Sequence, residues 1–508
     1  MAPGWTWWSN FAAGNNSYWA GSIMTDEEGT TRFVADCATA FASWWPAVLK
    51  ESYGCAMTGT QSMLANGNLA MMWTIENGMV AKTGLTGLVE IAPNGTTLHC
   101  WVATRGMPAW QLNLIPASPA PVNGSRVHTV TVAWLDAFVI NHDVQELSNG
   151  NWMAIAFEDR EVVCPRWGKD SGRNVTGNEL VEFAPYARVT AAGATVRAGQ
   201  VMKRFSLFDA LDACETFDVS SFDVKPALEW LHLNSFDVHN TALAALAGPQ
   251  ALLNELIVSS FYLGWVVAIR YADDAGGKAG SLKWIMGAPQ SVPPTLAPWW
   301  AKQAHFTLAG ATQSDAAEVA VGTPPLPLGG WQQSQHNVNV VHAAGVANGS
   351  ILLMFDNGAN ALRSTNLVDS RLVSFTIDAR PRVAANGTVL AMGKASVKWS
   401  WENDFARISP VVGGSVQLAN GNVLGCWGSV TDPPASFPTN YDTKTVCMHA
   451  HVVEVVPATG AGGRDRVVWS ATVGGHQSGV CFAWNAYRAL RVSNPFRRAA
   501  ALSLARSA

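Results

Sequence analysis

The chain has 508 residues, 48% of them hydrophobic and only 14% charged, so it can bury a large core and leaves little room for disorder. Its formal charge of -4, with Lys and Arg scattered rather than clustered, offers no electrostatic footprint for nucleic acid or an anionic membrane, and neither is expected as a partner. Eight cysteines, at 37, 55, 100, 164, 214, 426, 447 and 481, show no CxxC or zinc-ribbon spacing, so no metal is expected.

The opening MAPGWTWWSNFAAGNN lacks a basic stretch followed by a continuous apolar run, so it does not read as a standard signal peptide. Cys37 with Cys55 and Cys426 with Cys447 each close a modest loop and are conceivable disulfides, which sequence alone does not pair. From Ser62 the chain reads SMLANGNLAMMW, two apolar runs around Asn-Gly, the pattern of a hairpin with a two-residue type I′ turn. The pattern returns as VQELSNGNWMAIAF from Val144, VANGSILLMF from Val346 and VQLANGNVLGCW from Val416. A second unit follows each time: GLVEIAPNG at Gly87, ELVEFAPYA at Glu179, WVVAIRYAD at Trp265, RLVSFTIDA at Arg371 and HVVEVVPAT at His451. Most of these lead to a tryptophan strand, at Trp101, Trp284, Trp399 and Trp469. Two hairpins make one four-stranded blade.

The pairs predict blades near 61–101, 144–208, 232–284, 335–399 and 415–469, with a final hairpin half near 476–492. The fold expected is therefore all-β, a six-bladed β-propeller. Residues 1–60 are expected to complete the last blade, 61–495 to form the propeller, and 496–508 to be a tail; closure of this kind leaves no open sheet edge. SLFDALDACETF near Ser206 and TALAALAGPQALLNEL near Thr241 have helical composition and read as short helical insertions. The longest apolar stretch, from Leu256 to Ile269, is too short for a membrane helix, so no integral membrane segment is expected. Six Asn-x-Ser/Thr sequons, at Asn15, Asn94, Asn123, Asn174, Asn348 and Asn386, suit a secreted eukaryotic protein, although several are Asn-Gly turns.

In a propeller the starts of the inner strands converge on a central channel. Here those starts carry histidine repeatedly: His142 in INHDVQ, His232 and His239 in EWLHLNSFDVH, and His336 in SQHNVNVV. Any one of them alone reads as a satisfied strand residue; three at one structural position read as a site. Arg371 opens a strand after the polar stretch FDNGANALRSTNLVDS, and an arginine there suggests an anion. The tryptophans are mostly packing residues; Trp299 and Trp300 in APWWAKQ read as packing, with a lid as the alternative. Glu158, Asp159 and Glu161 in FEDREV read as a solvated turn.

These residues carry a resemblance to the arylsulfotransferase family. The pattern W-x-H-x-N-S (Trp230, His232, Asn234, Ser235), then Q-H (Gln335, His336), then F-D-N-G (Phe355 to Gly358), then S-R-x-V (Ser370 to Val373) follows the family order. Supporting matches are H-D-V-Q-x-L-x-N-G-N from His142, V-S-S from Val258, W-x-x-G from Trp284 and the closing Y-R-A at Tyr487. The resemblance covers roughly residues 60 to 492. It implies a sulfotransferase that moves a sulfuryl group from an aryl sulfate ester to a phenolic acceptor through a sulfo-histidine, with no cofactor and no nucleotide donor. In keeping with this, the one Gly-Lys that resembles a phosphate cradle, in DDAGGKAGS, lacks the upstream glycine of a Walker loop.

The resemblance casts His232, His336 and Arg371 as supporting catalytic residues, with Asn234, Gln335, Asn337, Asn357 and Thr431 binding substrate. It also implies a secreted or extracytoplasmic protein. One departure matters: the family nucleophile follows G-S-[IV], which here is Gly428, Ser429, Val430 and then Thr431, not histidine. His449 in MHAHVVEVV is a possible replacement, if the intervening loop folds it back into the channel; the alternative is that His449 and His451 share a solvated strand face. His142 is read as structural at the channel mouth, with service as nucleophile as a third option. The other class of function is a catalytically inactive sulfate-ester-binding or structural propeller, which Thr431 favours.

Overall fold

Alternating apolar residues and glycine turns give antiparallel strands, and their pairing sorts the chain into six blades. The computed structural model describes residues 4–14, 17–41, 55–57, 61–75, 85–107, 130–167, 172–216, 228–239, 255–287, 306–308, 331–332, 334–341, 350–358, 369–378, 382–383, 389–391, 393–403, 408–432, 447–458, 463–477 and 480–492. Blade 1 has the strands Gln61–Met63, Leu69–Ile75, Thr86–Ile91 and Thr97–Ala103, from the axis outward. The four strands of blade 2 begin with Ile140–Glu146 and end with Gln200–Ser206. Blade 3 runs from Leu233–His239 to Leu282–Met286, blade 4 from His336–Val341 to Lys394–Glu402, and blade 5 from Gly414–Gln417 to Arg466–Gln477.

Blade 6 is shared between the chain ends. Its innermost strand is Val480–Val492, and the three outer strands come from the N-terminus: Trp5–Gly14, Ser17–Thr25 and Thr31–Asp36. Thr6 pairs with Arg491 and Ala13 with Ala483. The C-terminus thus contributes one strand to this blade, where the sequence pattern suggested a hairpin half. The molecule is a six-bladed β-propeller, and its core is divided among six apolar clusters, each lying between adjacent blades. Trp101 meets Trp152 between blades 1 and 2, and Phe355 meets Trp427 edge-on between blades 4 and 5. Each fully buried tryptophan contributes about 4–6 kcal/mol of transfer free energy, which explains why the chain spends so many on blade contacts.

The Asn-Gly turns differ from the type I′ geometry. In blade 1 the Gly67 amide donates to the Leu64 carbonyl and the Leu64 amide to the Asn68 carbonyl; Gly67 alone of the turn takes positive φ. This is a type I turn ending in a left-handed glycine, repeated at Gly150 and Gly421. Asn66 stays right-handed because its side chain has other work: with Asn68 it donates to the buried Glu90 carboxylate, which also receives the Tyr186 hydroxyl from blade 2. Glu182 repeats the arrangement with Asn149, Asn151 and Tyr271 of blade 3, and Glu454 with Asn422 and Arg491 of blade 6. Each glutamate fastens a hairpin to the next blade.

Cys37–Cys55 is a disulfide, and so is Cys164–Cys214, a pair the sequence did not single out. Cys426 is not bridged to Cys447: its thiol is free and buried, directed at the Ala486 carbonyl across the blade 5 to blade 6 interface. The helical composition after Ser206 appears as two short helices, Leu207–Ala210 and Ala213–Thr216. The alanine-rich stretch near Thr241, Trp299 and Trp300 lie outside the described residues. Among the described residues no helix is long and apolar enough to cross a membrane.

Candidate functional site

Three innermost strands break their register at the channel end, between Asn141 and Val144, between Leu233 and Ser235, and between His336 and Asn339. A residue at each bulge caps the next blade. Asp143 accepts from the Phe236 amide, Ser235 from Val338 and Asn337 from Ser415. A polar belt therefore joins blades 2, 3, 4 and 5 around the axis. The same bulges put His142 and Asn337 at positive φ, and His232, just before its strand, is left-handed too. Backbone strain of this kind persists where surrounding contacts over-determine it, often at working sites.

The belt brings three imidazoles together. The His142 ring from blade 2 lies 4.7 Å from that of His232 at the entry to blade 3. Phe261 touches His232 and also His336 of blade 4, at 5.7 and 5.1 Å. Tyr487 of blade 6 reaches across to stack on His142, and it sits edge-on to His336. Its hydroxyl donates to the Asn234 carbonyl at 2.8 Å, and its single proton is thereby used. The 2.9 Å contact with His142 Nδ1 must then be donated by the imidazole, so His142 carries its proton on Nδ1. Likewise Asn357 donates through its amide nitrogen to Ser409 and Val412, so its oxygen accepts from His336 Nδ1.

The three rings are shifted in different directions. Burial, reinforced by His232, His336 and Arg488, holds His142 well below the usual imidazole range. His336 is pushed down to about 3, chiefly by burial. For His232 burial also pulls downward, but Glu229, 2.9 Å from Nδ1, outweighs it and the net shift is upward. An imidazole shifted toward its charged form thus stands against one shifted toward its neutral form, the pattern that separates acid from base in an active site.

Arg371 opens its strand opposite Asp356, and its Nε donates to that carboxylate at 2.9 Å while Nη2 donates to the Trp331 carbonyl. Asp356 and Asn357 are adjacent, so Arg371 and His336 are oriented by one hairpin end. Asn234 donates to the Gln335 carbonyl, the Gln335 amide turns into blade 3 toward Ser259 and Trp265, and Asn337 holds blade 5. These three amides fix the frame around the rings. Thr431 lies in Val423–Asp432, its backbone opposite Met448. His449 is on the third strand of blade 5, opposite Val430 and Gly474; beside it His451 is buried and accepts from Asn403.

Sequence reading passed over Arg488. It is buried, 3.5 Å from Asp143, and its Nε and Nη2 have no hydrogen-bond partner among the described residues. The signal was present as the Y-R-A element, where the tyrosine and the arginine both prove to face the axis. No group of three or more His, Cys, Asp or Glu among the described residues is placed to hold a metal.

A six-bladed propeller with histidines and a guanidinium at its mouth matches the arylsulfotransferase family model over residues 14–452. The chain belongs to the arylsulfotransferase (ASST) family. No curated protein sequence matches it. Among solved structures it is similar to a proposed 6-phosphogluconolactonase from Bacteroides fragilis NCTC 9343, with 11% identity over 96% of this chain and 98% of that one and a TM-score of 0.34. A levansucrase mutant from B. megaterium is 9% identical over 82% of this chain and 83% of that one, TM-score 0.33. A periplasmic gluconolactonase from Pseudomonas aeruginosa is 11% identical over 95% and 99%, TM-score 0.29. At these scores the three carry no argument about this chain.

Proposed function

We propose that this protein transfers a sulfuryl group from an aryl sulfate ester to a phenolic acceptor through a sulfo-histidine. The observation that carries the reading is the juxtaposition of three imidazoles from blades 2, 3 and 4, one shifted toward its charged form by Glu229 and two shifted toward the neutral form by burial. A neutral imidazole is a nucleophile, and a protonated one beside it can protonate the departing phenolate, then accept a proton from the incoming phenol. Arg371 and Arg488 supply permanent charge for sulfuryl oxygens in a water-poor pocket. The two disulfides fit an oxidising, extracytoplasmic setting.

The test is release of 4-nitrophenol from 4-nitrophenyl sulfate in the presence of phenol, with formation of phenyl sulfate. The wild-type protein should turn over and His336→Ala should lose at least a hundredfold, about 2.7 kcal/mol. Normal turnover by that variant sinks the assignment. Thr431 at the family's nucleophile position favours a second reading, a propeller that binds sulfate esters without transfer. It predicts calorimetric binding of inorganic sulfate, weakened in Arg371→Ala, and no phenol release.

A further inference from the structure

We infer that His142 is the residue that accepts the sulfuryl group, and that His232 is its acid and base partner. The inference rests on the sulfotransferase reading and adds to it the identity of the nucleophile.

Three observations converge. First, the Tyr487 hydroxyl spends its proton on the Asn234 carbonyl and receives the one on His142 Nδ1, which leaves the lone pair of His142 on Nε2. A tautomer fixed from behind, with the reactive nitrogen turned the other way, is how an orienting group prepares an imidazole for chemistry. Second, the ring in contact with His142 is His232, whose own Nδ1 proton is held by Glu229. His336 shares the Nδ1 arrangement through Asn357 and feels the charge of His232, but the rings packed against its own are Phe261 and Tyr487. The acid is therefore beside His142. Third, His142 sits at φ 56 on a bulge that two other blades pin in place, blade 3 through Phe236 on the Asp143 carboxylate and blade 6 through Tyr487 from across the axis. Arg488, on the strand that carries Tyr487, brings an Nε and Nη2 edge that has no hydrogen-bond partner among the described residues to the same layer, a fork suited to two sulfuryl oxygens.

In the first half-reaction His142 Nε2 attacks sulfur, the N–S bond forms, and the S–O bond to the aryl group breaks. The electron pair passes to the phenolate oxygen, which takes the proton from the outer nitrogen of His232 and leaves as phenol. In the second half the acceptor phenol gives its proton to the now neutral His232 while its oxygen attacks sulfur. The S–N bond breaks and its pair returns to Nε2. Charge and protons balance across each half without any other reactant.

Wild-type protein is mixed briefly with 4-nitrophenyl sulfate, quenched in alkali, digested and searched by mass spectrometry for the mass of one SO3 group. The expected adduct is on His142. As a second measurement, His142→Gly puts at this positive φ the residue that best tolerates it, so the backbone is retained while the ring is lost. It should release nitrophenol roughly a thousandfold more slowly or worse, with added imidazole restoring part of the rate. An adduct on His336, His449 or any other residue overturns this inference and leaves the sulfotransferase reading standing, as does normal turnover by His142→Gly. No adduct together with no nitrophenol release overturns the sulfotransferase reading itself.

Discussion

The two ends of the innermost strands bury polar groups for opposite purposes. At the hairpin end, Glu90 and Glu182 each take three hydrogen bonds, two from the asparagines of the turn and one from a neighbouring tyrosine. At the mouth, Arg488 has two nitrogens and Asn141 both amide atoms without a partner among the described residues. A buried polar group with all its bonds made stiffens the frame, while one left incomplete raises the energy of the folded state and is retained only where something else gains from it. The hairpin end thus works as a fastener, and the mouth is where the candidate site lies.

The comparison can be broken at either end, and the largest effect belongs to the fastener. Glu182→Ala strands Asn149, Asn151 and Tyr271, and should cost about 4 kcal/mol in a urea titration while phenol release by the folded protein is little changed. A loss confined to activity would reverse the roles given to the two ends. Next comes His232→Gln, which removes the acid. Release of phenol from phenyl sulfate should fall about a hundredfold, and release of nitrophenol, a leaving group that needs no proton, should fall much less. Equal losses on both esters would remove His232 from proton transfer.

Asp237 gives a smaller effect with a definite sign. Burial and the nearby Asp143 push its carboxyl up to about 6 from 3.8, although the Val340 amide donates to it. The folded protein then holds more protons than the unfolded chain between those values, so this carboxyl's contribution is most favourable in acid and is lost as pH rises through 6. Asp237→Asn should be more stable than wild type by about 2 kcal/mol above pH 7, with no gain below pH 4. Identical pH curves for the two proteins would show that Asp237 is solvated. Smallest is Tyr487→Phe, which frees the His142 tautomer and should slow nitrophenol release about tenfold, near 1.4 kcal/mol, with the unfolding midpoint nearly unchanged.

The fastener was fully spelled out in the sequence. Where N-G-N occurs, at 66–68, 149–151 and 420–422, the following unit carries Glu90, Glu182 or Glu454; where it does not, the register position holds Ala268 or Ser374. The repeat itself was legible for the same reason, because hairpins are local and their turn residues have few conformational options. His232, His336 and Arg371 were legible through the family pattern, and the structure seats the two histidines in one cluster with His142.

What the sequence alone determined, then, is the number of blades, the position of the mouth and the kind of chemistry to look for there. Only the tertiary structure decided which histidine faces which. Tyr487 and His142 are 345 residues apart, and the bond between them, which sets the tautomer, exists because the C-terminal strand and three N-terminal strands close the ring. The same closure carries Arg488 to Asp143. The titration of an imidazole depends on burial and on groups brought to it by other blades, so no local pattern could have shown that His232 is shifted toward its charged form while its neighbour is shifted toward the neutral one.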